Sequence, residues 1–195
     1  MAFDKFPHFI RENYELYEWK HATAILENDF QKEWNDLIDL LTVFRIYKSW
    51  ISIGGGGKSK LAAFIDEFLA QRGWVEKGFK TLVTVDGYEM ETPTHKIDCY
   101  KNRVALEVEW NNKDPFFDRD LNNFRLLFDL RAISVGIILT RSDELQELFE
   151  SLNRGASFGQ STTHMSKLLP RIDGGGGGGC PILAIGMRKS LYVED

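Results

Sequence analysis

The stretch "IDCYKNRVALEVEW", residues 97–110, decides the fold. Side chains alternate along a strand, so Val104, Leu106, Val108 and Trp110 project to one side and Arg103, Ala105, Glu107 and Glu109 to the other. Two strand-like runs, "THKIDCY" and "RVALEVEW", flank Lys101 and Asn102, where a hairpin is expected. If the hairpin loop holds an even number of residues, Asp98 lies across from Ala105 and diagonal to Glu107, on the charged face. An odd loop or a bulge turns Asp98 into the core. Like charges this close repel: at about 4 Å and an effective dielectric near 20, two carboxylates cost each other about 4 kcal/mol. Water on a solvated strand face relieves that cost, and alternating charge is common on an open antiparallel face. A cation relieves it too. By composition the solvated face is the common case; convergence of Asp98, Glu107 and Glu109, flanked by Lys96, raises the alternative of a site for Mg2+, which takes carboxylate oxygens and keeps several waters. The expected sheet has one packed face and one charged face.

Working outward, Phe30, Trp34, Leu37, Leu41 and Phe44 recur at helical spacing, with Asn28 or Asp29 placed to cap the first turn. A second helix is expected from about Ser59 to a stop at Gly73. "FKTLVTV" reads as a strand and "DGYE" as a turn before the hairpin. Beyond it, "FFDRDLNNFRLLFDL" is amphipathic, with Phe117, Leu121, Phe124 and Phe128 on one stripe. "SVGIILT" and "CPILAIGM" read as buried strands. Between them, Ser142 is placed to cap a helix over "DELQELFESL", followed by a long polar loop. The predicted fold class is α/β, a central mixed β-sheet flanked by α-helices. The expected organisation is a single domain over 1–195, with N-terminal helices in 1–75, a core in 76–150, and a loop and last strand in 151–195.

The chain is 195 residues, 43% apolar and 13% aromatic, which is globular rather than disordered. No run approaches the roughly 20 apolar residues that span a bilayer. The opening "MAFDKFPHFIRENYELYEW" is charged throughout and lacks an apolar secretory core, so the expectation is an intracellular, cytoplasmic protein. Cys99 and Cys180 lack metal-knuckle or redox spacing and read as buried thiols.

"ISIGGGGKSKLAAF" invites a phosphate-loop reading, with Lys58 and Ser59 opening a helix and "RIYKSWISI" as the strand before it. The pattern needs a glycine where Ser52 stands. A flexible lead-in to a capped helix is the other reading, with Lys58 and nearby amides free to touch a phosphate. The second glycine run, Gly174 to Gly179, reads as a mobile link.

A net charge of −5 argues against coating nucleic acid by bulk charge. Residues 151–172 nonetheless contain no Asp or Glu, while Arg154, Lys167 and Arg171 are basic. His164 there is either a surface histidine or part of a base-reading set with Gln160, Ser161, Thr162 and Thr163.

The element order, and an aspartate followed nine residues later by a Glu-x-Glu strand, resemble the PD-(D/E)XK nuclease core. More narrowly, "RVALEVEWNNKDPF", "VGIILTRS" and "CPILAIGM" are similar to type II restriction endonucleases of the BglII and BstYI type, most specifically from about Lys96 to Met187. The upstream Trp-bearing helix and the one ending in "RGW" are compatible with them. The resemblance implies Mg2+-dependent cleavage of double-stranded DNA at a short palindromic site, within a bacterial or archaeal restriction-modification system, with Mn2+ able to substitute. Asp98 and Glu107 would be metal ligands. Glu109 would take the third catalytic place, where most of the superfamily has lysine and the closer relatives glutamine. Glutamate there resembles the BamHI arrangement, in which it acts on the attacking water. Ile97 departs from the proline of the motif's name.

Asn112 matches a base-contacting position. With its neighbours and the polar loop, the DNA-binding candidates are Asn111, Asn112, Lys113, Arg154, Ser157, Gln160, Ser161, Thr162, His164, Lys167 and Arg171. The resemblance also implies a homodimer using the helix 117–130. The rival expectations are a DNA-binding protein without catalysis, a repair or junction nuclease on the same core, and a nucleotide hydrolase built on Lys58 and Ser59.

Overall fold

The computed structural model describes residues 2–52, 58–92, 94–159 and 161–195. Its elements run α1 (His8–Asn13), β1 (Tyr14–Trp19), α2 (Ala22–Asp29), α3 (Gln31–Val43), β2 (Ile46–Tyr47), α4 (Lys48–Ser52), α5 (Lys60–Ala70) and β3 (Val75–Lys77). There follow β4 (Thr81–Val85), β5 (Tyr88–Thr92), β6 (Ile97–Lys101), β7 (Val104–Glu109), α6 (Phe116–Asp129), β8 (Val135–Arg141) and α7 (Leu145–Ser151). The chain closes with α8 (Met165–Asp173), β9 (Ile182–Met187) and β10 (Tyr192–Val193).

A six-stranded sheet, ordered β1-β9-β8-β7-β6-β3, carries the architecture. The β7, β8 and β9 strands are parallel, and β1, β6 and β3 pair antiparallel at the flanks. Parallel strands need long crossovers, and α6 supplies the first of these between β7 and β8. The expected α/β class with a mixed, helix-flanked sheet is the observed one.

At the centre, Lys101 faces Val104 across a turn made by Asn102 and Arg103. Both have positive φ, 44° and 69°, as a type I′ hairpin turn demands. Cys99 pairs with Leu106, so Asp98 falls directly opposite Glu107 rather than across from Ala105. The parity, and hence the face, is as expected; the register is two residues further along.

Both faces of the sheet are packed, which corrects the expectation of one charged, open face. Strands β7, β8 and β9 are buried at every position. Leu106, Val108, Ile137, Leu139, Leu183 and Ile185 join a core with Leu37, Leu41, Ile65 and Phe149 from the helices of the first layer. On the opposite face Ala105, Ile138, Ile182 and Ala184 pack against Phe117, Leu121, Phe124 and Leu127 of α6 and Leu168 and Ile172 of α8. Burying each of the larger of these side chains contributes about 1.5–3 kcal/mol. Helix α6 can lie close because Gly136 leaves room: a Cβ there would sit 2.3 Å from the Phe124 ring.

Other expectations change locally. The helix with Trp34 starts at Gln31, and Asn28 and Asp29 close the preceding helix α2 instead of capping it. Residues 1–75 supply an edge strand, β1, as well as helices. "DGYE" is not a turn as a whole: Asp86 and Gly87 turn the chain, and Tyr88 begins β5, which pairs with β4 outside the main sheet. "RIYKSWISI" becomes strand only at Ile46–Tyr47 and then helix α4. Ser142 does not cap α7 with its hydroxyl; its carbonyl accepts the Leu145 N–H instead.

The long polar loop contains α8, whose Met165, Leu168 and Ile172 have helical spacing; Pro170 sits inside it. Gly174 to Gly179, expected as a link to the last strand, form a hydrogen-bonded turn, with Gly176 N–H donating to the Arg171 carbonyl at 2.9 Å. Their lack of Cβ atoms matters at Gly177, where one would lie 2.3 Å from Ile182. Among the described residues no helix is long and apolar enough to cross a membrane.

Candidate active site and nucleic-acid interface

The start of β6 and the end of β7 lie side by side, and there carboxylates take over from backbone pairing. The Asp98 N–H donates to Glu107 Oε2 at 3.2 Å. The Val108 N–H donates to Asp98 Oδ2 at 3.0 Å. Glu107 is 0% exposed and its Oε1 has no partner among the described residues. Burial, then the charges of Asp120 and Asp98, push its pKa well above the usual carboxylate range. A buried, unsatisfied carboxylate oxygen is costly, so this is the point where a cation with oxygen ligands fits.

Glu109 is also buried, at 1% exposure. Its Oε2 accepts from Asn112 Nδ2 at 2.8 Å and its Oε1 from Arg119 Nη2 at 3.2 Å. Arg119 reaches from α6 and also lies 2.7 Å from Asp120 Oδ1. Burial, then Asp120, push the Glu109 pKa up to about 9. Asp120, 0% exposed, is raised by burial too, against the pull of its hydrogen bond with Glu109 and the charge of Arg119. The two carboxyls share a hydrogen bond, and we place its proton on Glu109.

The three expected acids therefore do not gather at one point. Asp98 and Glu107 are adjacent, whereas Glu109 is drawn towards Arg119, because α6 covers that face and brings its own charges. Among the described residues no three His, Cys, Asp or Glu side chains are grouped to hold a metal by themselves. Two carboxylates suffice for Mg2+, which usually keeps waters and takes further oxygens from a phosphate. Lys96, expected beside the acids, pairs with Glu76 at 2.9 Å.

Asp98 opens onto a cleft of about 820 Å3 that also holds Lys58, Lys60, Asn111, Asn112, Arg154 and Ser157. Ser59 caps α5 on its wall, its Oγ accepting the Ala62 N–H at 3.1 Å. The glycines of the suspected phosphate loop lie outside the described residues, and Lys58 pairs with Asp66. Among the described residues α4 stands where a phosphate loop needs a strand, which does not match the nucleotide-hydrolase geometry.

Of the DNA-binding candidates, Asn111, Asn112, Arg154 and Ser157 thus share the cleft with Asp98. Lys113 and Thr162 form a β-bridge, and the Ser161 carbonyl accepts the Asp114 N–H at 3.1 Å. His164 is buried beside a separate cavity, its Nδ1 2.7 Å from Asp143 Oδ1. Lys167 and Arg171 face acids from another segment: Lys167 lies 3.9 Å from Asp114 and Arg171 2.9 Å from Asp118. The stretch without acids is therefore not a free basic strip. Gln160 lies outside the described residues.

Sequence reasoning missed Arg119, Asp120 and Arg141. Asp120 had a signal, since it stands three residues after Phe117 on the helix's apolar stripe, where a carboxylate needs a reason.

The family model for restriction endonuclease BglII/BglIII matches residues 14–187. The chain belongs to that family. The matched span runs from the first residue of β1 to the last of β9, so it takes in the whole central sheet. No curated protein matches the chain. Membership makes it a type II restriction endonuclease, a site-specific deoxyribonuclease whose substrate is double-stranded DNA. Restriction endonucleases of this type generally use divalent metal ions, and the orphaned Oε1 of Glu107 beside Asp98 suits one.

Proposed function

We propose that this family member cuts duplex DNA at a short palindromic sequence, using Mg2+ held by Asp98 and Glu107. The observation that carries the reading is Glu107: fully buried, with one oxygen unpaired among the described residues, opposite an aspartate that opens onto the cleft. A Mg2+ ion bound there, for which Mn2+ would substitute, would polarise a phosphodiester oxygen and acidify a water. The Val108 N–H holds the Asp98 carboxylate and the Asp98 N–H holds that of Glu107, which limits the reorganisation that ion binding requires. Glu109, held from two sides by Asn112 and Arg119 and sharing a proton with Asp120, would orient the attacking water once a bound cation draws that proton off. Lys60 and Arg154, at the cleft, meet the DNA backbone. Asn111, Asn112, Ser157 and the polar residues of the adjoining loop read base edges.

A palindromic site suits a two-fold protein, and a homodimer would use α6. The apolar stripe of that helix is spent on its own core, which leaves Phe116 and Leu130, 37% and 45% exposed, for a partner.

Supercoiled plasmid incubated with Mg2+ should give a discrete fragment ladder whose sequenced ends share one motif. The Glu107→Ala variant should bind the same DNA without cutting it. A smear, an absence of cutting, or full activity in the variant would overturn the reading.

A further inference from the structure

Arg141, the last residue of β8, is a buried cation outside the candidate active site, 1% exposed. All but one of its hydrogen bonds go to one loop. Nε donates to the Thr163 carbonyl at 3.2 Å, and Nη2 to Thr162 Oγ1 at 2.9 Å and to the Phe158 carbonyl at 3.1 Å. Weaker contacts reach the Gly159 carbonyl and Gln146 Oε1, both at 3.4 Å. The guanidinium lies 5.3 Å from the Phe149 ring centre. Burial pushes its pKa down to about 10. A guanidinium taken out of water is retained only where its fork of donors is matched, and removing it leaves the matched carbonyls unpaired.

The same loop is stitched to the segment that follows the catalytic strand. The Thr163 N–H donates to the Asn112 carbonyl at 2.8 Å, and the Asp114 N–H to the Ser161 carbonyl at 3.1 Å. Asn111 Nδ2 donates to the Ser157 carbonyl at 3.0 Å. Asn112 in turn holds Glu109 at 2.8 Å. A continuous line of hydrogen bonds thus runs from Arg141 through Thr163 and Asn112 to Glu109.

We propose that Arg141 is a positioning residue for DNA reading, fixing residues 157–159 and 161–163 against residues 111–114 so that base contacts and Glu109 share one alignment. The proposal rests on the reading of that loop as DNA-contacting. Arg141 itself touches no DNA.

The test compares wild type with Arg141→Lys and Arg141→Met. Lysine keeps the charge but cannot serve separate acceptors with a planar fork, and methionine removes the charge. Amide hydrogen exchange at Thr162 and Thr163, in folded protein verified by circular dichroism, should be at least about tenfold faster in both variants. Cleavage of a duplex carrying the site mapped from the plasmid digest should show a raised KM with a smaller change in kcat. Discrimination against a one-base mismatch should fall about tenfold, the scale of one base contact. Should the methionine variant fail to fold, the lysine variant carries the test alone. Unchanged exchange at the two amides overturns the proposal, and so does faster exchange with unaltered discrimination. In the latter case, Ser157→Ala and Ser161→Ala separate the causes: undiminished DNA binding in both places the failure in the recognition reading, and weakened binding places it in Arg141.

Discussion

Replacing Glu109 with glutamine should stabilise the metal-free protein, and increasingly so as pH rises. Glu109 is buried, and its pKa is raised from 4.5 to about 9 by burial first and by Asp120 second. The folded chain thus holds this proton more tightly than the unfolded chain does. The advantage is complete below about pH 4.5 and is lost as pH rises to about 9. Over that window the loss is about 1.4 kcal/mol per pH unit, or about 3 kcal/mol between pH 6 and 8. Because Asp120 shares the proton, the slope belongs to the pair. Glutamine has the shape of the protonated acid and does not titrate; with its oxygen accepting from Arg119 and its amide donating to Asp120 it gives up the Asn112 hydrogen bond, a loss that is the same at every pH. Urea unfolding in EDTA at pH 6 and 8 measures the difference directly. With an m-value of about 2 kcal/mol/M, the gap between variant and wild-type midpoints should widen by about 1.5 M. A gap that stays the same at both pH values would mean that Glu109 is already ionised in the fold, and the account of the buried pair would fail.

Mg2+ at about 100 times its dissociation constant should stabilise the wild type at pH 8 by about 2.7 kcal/mol; Asp98→Ala should show no such gain in the same melt. Ser59→Ala removes the acceptor for the Ala62 N–H and should cost about 1 kcal/mol of stability by urea unfolding. Gly136→Ala would drive a Cβ to within 2.3 Å of the Phe124 ring and should cost about 1–3 kcal/mol, read as a lowered midpoint.

The residues 97–110 by themselves determined a hairpin and the nine-residue interval from Asp98 to the Glu-x-Glu strand, because strand alternation and turn chemistry are local; they left open the parity that puts Asp98 on the face of Glu107, which the two-residue turn at Asn102 and Arg103 decides. The continuous apolar runs of β8 and β9 likewise announced buried strands. Helix α8 was legible in Met165, Leu168 and Ile172 but was masked by polar neighbours, Pro170 and the glycines that follow. Only the tertiary structure decided how the acids are used. Whether Glu107 and Glu109 meet water or a helix depends on what packs over the sheet, and the covering element, α6, brings Arg119 and Asp120 from ten and more residues downstream. The pairing of Lys167 and Arg171 with Asp114 and Asp118 is non-local in the same way. So is the anchoring of the polar loop on Arg141. Charge and burial are properties of neighbours in space, and a linear pattern names the groups without saying which of them will touch.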